Sequence, residues 1–304
     1  MAAAFGPLID TAWLRDHLGE PGLAVVDCRF VLGRPGAGER AWREGHIPGA
    51  VFLDVDHDLA AEPGDRGRHP LPDAAEFEAA ARRAGIGSTS RVVAYDEAGE
   101  GGAARLWWLL RHFGHEEVAV LDGGLAAWRE EGGALEEGGA EADIAAAATS
   151  EADAAEAEPR TEGAAAKPGT PFTARPRDHD TVTADHIRAT SPRLLDARAP
   201  ERFRGEVEPI DAVAGHIPGA ANVPFAELAP GGRFPPAAEL RERLGGEPFV
   251  AYCGSGITAC TLVLAGELAG VEGRLYPGSW SEWSRRGLPV ETSGSPAAAP
   301  GPRD

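Results

Sequence analysis

Cysteine is scarce in this sequence: Cys28, Cys253 and Cys260 are the only three among 304 residues. So few argue against a disulfide scaffold and fit a reducing compartment, which leaves chemistry as the better use for at least one of them. Long apolar runs are also missing, and none approaches the roughly 20 residues that a membrane span requires. The start, Met-Ala-Ala-Ala-Phe-Gly-Pro-Leu-Ile-Asp, has neither the basic flank nor the long apolar core of a signal peptide, so a cytoplasmic location is expected. Basic residues are outnumbered: 29 Lys and Arg against 48 Asp and Glu give a formal charge of −19. That sign repels nucleic acid and anionic lipid and removes both as expected partners. The histidines lack zinc-ligand spacing, and neither a metal nor another cofactor is expected.

Hydrophobic residues make up 43% of the chain, enough for two domains with a core each. Much of the acidic excess is local, with Glu136, Glu137, Glu141, Asp143, Glu151, Asp153, Glu156, Glu158 and Glu162 set among alanines and glycines. Such a stretch buries too little apolar surface to offset its ordering entropy, and residues 136–176 read as an acidic linker. The halves on either side repeat one another. Leu23 to Arg29 recurs as Arg193 to Arg198, an apolar run ending in Asp-x-Arg. Gly45-His46-Ile47-Pro48-Gly49-Ala50 recurs as Gly215-His216-Ile217-Pro218-Gly219-Ala220. Arg91 to Asp96 matches Pro248 to Cys253, and Gly123 to Trp128 matches Gly278 to Trp283. Matches in one order imply a duplicated domain, over residues 1–135 and 177–292, with a tail at 293–304.

In each half short Val/Leu/Ala-rich runs alternate with helical periodicity, as at Ala74 to Ala84, Ala104 to Phe113, Ala237 to Leu244 and Thr258 to Leu268. Unbroken apolar strands are usually buried on both faces of a parallel sheet, so each half is expected to be α/β with helices on both faces. Ligands in such sheets sit where strands end and helices begin. Cys253 falls there, in Tyr252-Cys253-Gly254-Ser255-Gly256-Ile257-Thr258. Loop amides and the positive end of a helix starting near Thr258 favour negative charge on its sulfur, and Gly254 and Gly256 let the amides come close.

These ordered motifs resemble the two-domain rhodanese family of sulfurtransferases across nearly the whole chain, the acidic insert and the tail after Glu291 excepted. The resemblance implies two tandem rhodanese-like domains, of which the second is catalytic; Asp96 stands in the first where Cys253 stands in the second. Cys253-Gly254-Ser255-Gly256-Ile257-Thr258 is similar to the loop of the mercaptopyruvate-preferring members, with Ile257 in place of Val. Thiosulfate-preferring members carry basic side chains there.

The family mechanism then implies that Cys253 takes sulfur from 3-mercaptopyruvate as a persulfide and passes it to a thiol acceptor such as thioredoxin, or to cyanide. Ser255, His69 and Asp56 match a family proton relay. Arg202 matches the arginine that holds the donor's carboxylate, while Gly254, Gly256, Ile257 and Thr258 complete the donor site. The second substrate arginine usual in such enzymes has no counterpart near Ile210-Asp211, and Arg204 is the candidate to replace it. Arg198 is expected to pair with Asp196 or a nearby carboxylate. Recurrence of His46 and His216 in both halves favours structural roles, and Cys28 reads as a packed small residue; Cys260 is open to a redox role. The tryptophans are expected in the core or at the domain interface, with Trp280 near the site. Two packed domains already cover the site, so a monomer is expected.

Three alternatives remain at the level of sequence. A thiosulfate:cyanide sulfurtransferase is the runner-up. A non-enzymatic rhodanese-like interaction module would need a silent Cys253. A phosphatase-like enzyme would need an arginine after a five-residue loop, and position 259 is alanine.

Overall fold

Tyr252 and its neighbours explain why the strands lack alternation: Phe249 to Tyr252 are all buried, with sheet neighbours on both edges and helices on both faces. The structure, a computed structural model, describes residues 5–138 and 170–292. The first domain comprises β1 (Leu8–Ile9), α1 (Thr11–His17), β2 (Leu23–Asp27), α2 (Ala37–Glu44), β3 (Val51–Phe52), α3 (Ala74–Arg83), β4 (Arg91–Tyr95), α4 (Gly102–His112), β5 (Val118–Leu121) and α5 (Gly124–Glu130). Its five strands are parallel in the order β1-β5-β4-β2-β3.

The second domain comprises α6 (Ala184–Thr190), β6 (Leu194–Asp196), α7 (Pro200–Phe203), β7 (Ala221–Asn222), α8 (Phe225–Leu228), α9 (Ala237–Arg243), β8 (Phe249–Tyr252), α10 (Ala259–Ala269), β9 (Gly273–Leu275) and α11 (Ser279–Arg285). Its strands are parallel in the order β7-β6-β8-β9, which puts the Cys253-bearing β8 inside the sheet. Each domain is thus a parallel α/β sheet, as the apolar runs imply.

The recurring motifs build the same joints twice. Asp27 pairs with Arg29 at 2.7 Å and Asp196 with Arg198 at 2.6 Å, each pair almost fully buried. Each arginine also reaches the carbonyl of the glycine that opens the Gly-His-Ile-Pro motif, Gly45 or Gly215. Tyr95 and Tyr252 each accept from the isoleucine amide of that motif, at 3.2 Å in both cases. His46 and His216 are buried, with Nδ1 on the carbonyls of Trp42 and Phe203, and each stacks on that ring. They hold loops together, in keeping with their presence in both halves.

Helices α4 and α10 are buried almost all round, because each packs on its own sheet and on the other domain. Leu106, Leu109 and Leu110 share one cluster with Leu262, Val263 and Leu264. A helix apolar on nearly every face is one that ends up enclosed, which Ala259–Ala269 shows apart from Thr261 and Glu267, and Gly102–His112 apart from Arg105, Arg111 and His112. The contact carries the first domain's loops over the end of β8.

Residues 139–169 of the expected linker, and the tail at 293–304, lie outside the described residues. The segment 170–176, which the composition assigns to the linker, is instead seated on the first domain. Thr170 accepts from the Ser88 amide at 2.9 Å, Arg175 donates to Phe113 at 2.9 Å, and Phe172 is buried edge-on to Phe77. At the other end, Glu136 exchanges backbone hydrogen bonds with His46. Among the described residues no helix is long and apolar enough to cross a membrane.

Candidate active site

Cys253 leaves the C-terminal end of β8 and opens the loop into α10, with 2% of its surface exposed. Gly256 turns back at φ +88°, and its amide donates to Cys253 Sγ at 3.1 Å. A Cβ on Gly256 would sit 2.5 Å from the Pro277 carbonyl, so only glycine lets the loop close on the sulfur. The start of α10 at Ala259 adds the positive end of an eleven-residue helix beneath the loop.

The Gly278 to Trp283 motif clamps this loop from behind. Ser279 Oγ accepts from the Cys253 amide at 3.1 Å, while Trp280 and Ser281 donate to the carbonyls of Cys253 and Gly254. Leu125 and Ala126 make the matching bonds to Asp96 and Glu97 in the first domain. There Gly124 takes the left-handed conformation at φ +58°; in the second domain Ser279 takes it, at φ +53°. A serine tolerates that strain here because its hydroxyl satisfies the buried amide of the nucleophile. In sequence the signal was Ser279 standing where the first motif has Gly124, between the Gly and Trp that the two motifs share.

Across the domain interface, His69 Nδ1 lies 2.7 Å from Ser255 Oγ and Nε2 lies 2.9 Å from Asp56 Oδ1. The sequence-predicted relay residues therefore meet in one chain of contacts. The hydrogen bond from His69 holds the Asp56 carboxyl below its ordinary range, so it is ionised near neutral pH. An ionised carboxylate only accepts, so Nε2 carries a proton; in the neutral ring Nδ1 then accepts from the Ser255 hydroxyl, and in the charged ring it donates to it. The arrangement can move a proton to or from a molecule seated at Ser255.

A cavity of about 440 Å³ lies over the loop, lined by Cys253, Gly254, Ser255, Ile257 and Thr258 below and by Arg68, Arg202 and Glu100 at the sides. Gly256, expected among the donor-binding residues, is not on this wall; its amide faces the sulfur. Arg202 reaches Glu208 at 2.6 Å and also approaches Asp211. Arg198 lines the cavity too but is held by Asp196 and Gly215, as its structural reading requires.

Beside Arg198 and Arg202 the cavity wall carries a guanidinium from Arg68, and none from the 204–211 segment. Arg204 pairs with Glu206 at the surface and does not compensate for the missing arginine. Arg68 is fixed by its amide on Ser281 Oγ and by its side chain on Asp211, and its Nη1 is buried without a partner. A Cβ built on Gly254 would lie 3.6 Å from Arg202 and 3.7 Å from Arg68 Nη1, so both cations face that end of the loop. Arg68 directly precedes His69 in sequence, the adjacency that could have pointed to it.

Arg105 is a further residue that braces the site. It has no exposed surface, and its donors go to the carbonyls of Leu59, His69, Pro70 and Gly256. Burial pushes its pKa down, and none of those partners is a carboxylate. It ties the backbone of His69 to the Cys253 loop across the interface. An arginine set directly before the apolar run Leu106 to Leu110 was the available signal.

The other thiols are placed differently. Cys28 is fully buried, and burial raises its pKa well above the ordinary thiol range. Burial pushes Cys260 up to about 12, and its thiol donates to the Gly256 carbonyl at 3.4 Å. Trp280 is in the core, donating to Val213, and is absent from the cavity wall. Asp96 fills the first domain's loop, its carboxyl accepting from the amides of Gly99, Gly101 and Ala103, while burial raises its pKa. Among the described residues no cluster of His, Cys, Asp and Glu could hold a metal ion.

Fold and site together define a pair of fused α/β domains that share one cysteine loop, with the cysteine supplied by one domain and its neighbours by both. The rhodanese-like domain model matches residues 10–131 and again residues 181–286. The chain is 44% identical over 292 residues to a Pseudomonas aeruginosa protein named as a probable 3-mercaptopyruvate sulfurtransferase, covering 91% of this chain and 94% of that one. It is 41% identical over 275 residues to the Mycobacterium tuberculosis SseB protein, provisionally named a thiosulfate sulfurtransferase, covering 88% and 89%. The crystal structure of SseA from Escherichia coli, described as showing the rhodanese fold and mechanism of the 3-mercaptopyruvate enzymes, superposes with a TM-score of 0.71 at 32% identity. That match covers 91% of this chain and all of the other. The chain belongs to the rhodanese family.

Proposed function

We propose that this protein is a sulfurtransferase that takes sulfur from 3-mercaptopyruvate as a Cys253 persulfide and gives it to a thiol. The observation that carries the choice of donor is the Asp56–His69–Ser255 chain of contacts beside the nucleophile. The Cys253 thiolate attacks the donor sulfur and forms the S–S bond. The C–S bond breaks with its electron pair going to carbon, and the resulting pyruvate enolate takes up a proton. A relay at Ser255 serves that protonation. Thiosulfate would leave as sulfite, with no carbanion to protonate.

Charge supports the same choice. The loop carries no basic side chain, and Arg68 and Arg202 are largely offset by Asp211 and Glu208, which suits one carboxylate better than a dianion. In this reading Arg202 and Arg68 hold the carboxylate, Gly254, Ile257 and Thr258 shape the floor, and the Gly256 amide stabilises charge on sulfur.

In the second half-reaction an acceptor thiolate attacks the outer sulfur and Cys253 leaves as thiolate. Thioredoxin, a small thiol or cyanide fits that role. One chain supplies every site residue, in keeping with a monomer, and three free, buried cysteines fit a reducing cytoplasm. The test is a side-by-side measurement of pyruvate release from 3-mercaptopyruvate and sulfite release from thiosulfate. A kcat/KM at least tenfold higher for mercaptopyruvate is expected; a higher value for thiosulfate would reverse the assignment of donor.

A further inference from the structure

Every cationic side chain on the cavity wall has an acidic partner, but the one acidic side chain there has no cationic partner. Arg68 pairs with Asp211, Arg198 with Asp196, and Arg202 with Glu208. Glu100 forms no ion pair among the described residues; its Oε2 accepts from the Glu97 amide at 2.9 Å. The cavity is also polarised from end to end. Arg68 and Arg202 face Gly254, as above, whereas Gly101, next to Glu100, abuts the opposite end of the loop. A Cβ there would lie 3.1 Å from Thr258 Cα. The floor between the two ends is neutral and carries Cys253.

We propose that Glu100 forms an ammonium-binding subsite for the sulfur acceptor, and that the preferred small acceptor is an aminothiol, a molecule with a thiol and an ammonium a few bonds apart. The inference rests on the persulfide reading above. Once pyruvate has left, the ammonium pairs with Glu100 at the Thr258 end and the thiol lies over Cys253. The acceptor thiolate attacks the outer persulfide sulfur, a new S–S bond forms, and the Cys253–sulfur bond breaks with its electron pair returning to Cys253. The acceptor leaves as its own persulfide, with no oxidant or reductant required.

Burial, together with Asp96 and Glu97, pushes Glu100 up to about 7, the condition of a carboxylate that lacks a cation. A bound ammonium supplies that cation and favours the ionised form. An acceptor bearing a carboxylate meets the opposite effect at this end.

The test uses the full-length protein loaded with one sulfur, from 3-mercaptopyruvate and separately from inorganic polysulfide, with loss of that sulfur followed by intact mass. Cysteamine, 2-mercaptoethanol and 3-mercaptopropionate serve as cationic, neutral and anionic acceptors. For each thiol the wild-type rate is divided by that of Glu100→Gln, so intrinsic thiol reactivity cancels; Glu100→Ala is measured in the same way. The expected result is a ratio of about ten for cysteamine, within twofold of one for 2-mercaptoethanol, and at or below one for 3-mercaptopropionate. Equal ratios for all three thiols would overturn the subsite. A gain for 3-mercaptopropionate with no loss for cysteamine would also overturn it, leaving simple repulsion of anions. Loading by polysulfide but not by 3-mercaptopyruvate would sink the donor assignment without touching this inference, and loading by neither would sink both.

Discussion

Ser255 has one side-chain contact that matters to chemistry, the 2.7 Å approach to His69 Nδ1, and its loss should tell donors apart. Ser255→Ala is expected to lower pyruvate release by about a hundredfold, in the range of a lost general acid–base contribution. Sulfite release from thiosulfate should fall far less, and equal losses would separate the relay from the carbon chemistry. Glu100 gives a second prediction, in stability. Its folded-state value of about 7 lies above the ordinary 4.5, so the fold favours its protonated form. That contribution is fully present below about pH 4.5 and is lost as pH rises through about 7. Thermal melts of Glu100→Gln should therefore gain on wild type between pH 5 and pH 8; a constant difference would contradict the shift. Cys253, Ser255, His69, Asp56 and Arg202 could be singled out from the family resemblance of the motifs around them, and the fold brings Ser255, His69 and Asp56 into contact beside the cavity that Cys253 and Arg202 line. Arg68 could not be read this way, because the family pattern places a second arginine near Ile210 in the catalytic domain. In the proposed site Arg68 stands in for it from the other domain, a substitution in space that adjacency along one motif does not reveal.

The Cys253–Thr258 loop depends on one backbone conformation more than on any side chain. Gly256→Ala puts a Cβ at φ +88° and 2.5 Å from the Pro277 carbonyl, with both neighbours fixed. A cost of about 1–3 kcal/mol is expected for such a forced conformation, and relaxation of the loop should pull the amide from Cys253 Sγ. Melting temperature and the rate of Cys253 alkylation by iodoacetamide check this; an unchanged rate would mean that the Gly256 amide does not govern the sulfur. The helices and strands around this loop were readable from apolar runs and period, as at Phe249–Tyr252 and Ala259–Ala269. The clamp formed by Ser279 was not, because its work is done through a hydroxyl on a backbone amide and through two neighbouring amides. Sequence displays side chains, and these bonds are mostly main chain.

Arg105 joins the two domains into one site, holding carbonyls from the relay segment and from the cysteine loop with no counter-ion of its own. Arg105→Met removes a buried charge but leaves those carbonyls short of donors, at a cost of about 3 kcal/mol. A fall in melting temperature of roughly 6–12 °C is expected; calorimetry showing no change would mean that solvent replaces the side chain freely. The duplicated architecture was legible from four ordered matches, since equivalent joints such as Asp27–Arg29 and Asp196–Arg198 demand the same residues twice. The return segment 170–176 was misread as linker because Pro171, Phe172 and Arg175 follow an acidic tract and carry no periodicity, although Phe172 is buried. The proposed function has a sulfur carried by Cys253 and drawn from 3-mercaptopyruvate. The most direct test is intact mass spectrometry of the reduced protein after brief exposure to 3-mercaptopyruvate or to thiosulfate, beside Cys253→Ser. One added sulfur from mercaptopyruvate, absent in the variant, is the predicted result. An adduct that survives in the variant, or no adduct from mercaptopyruvate, would contradict it.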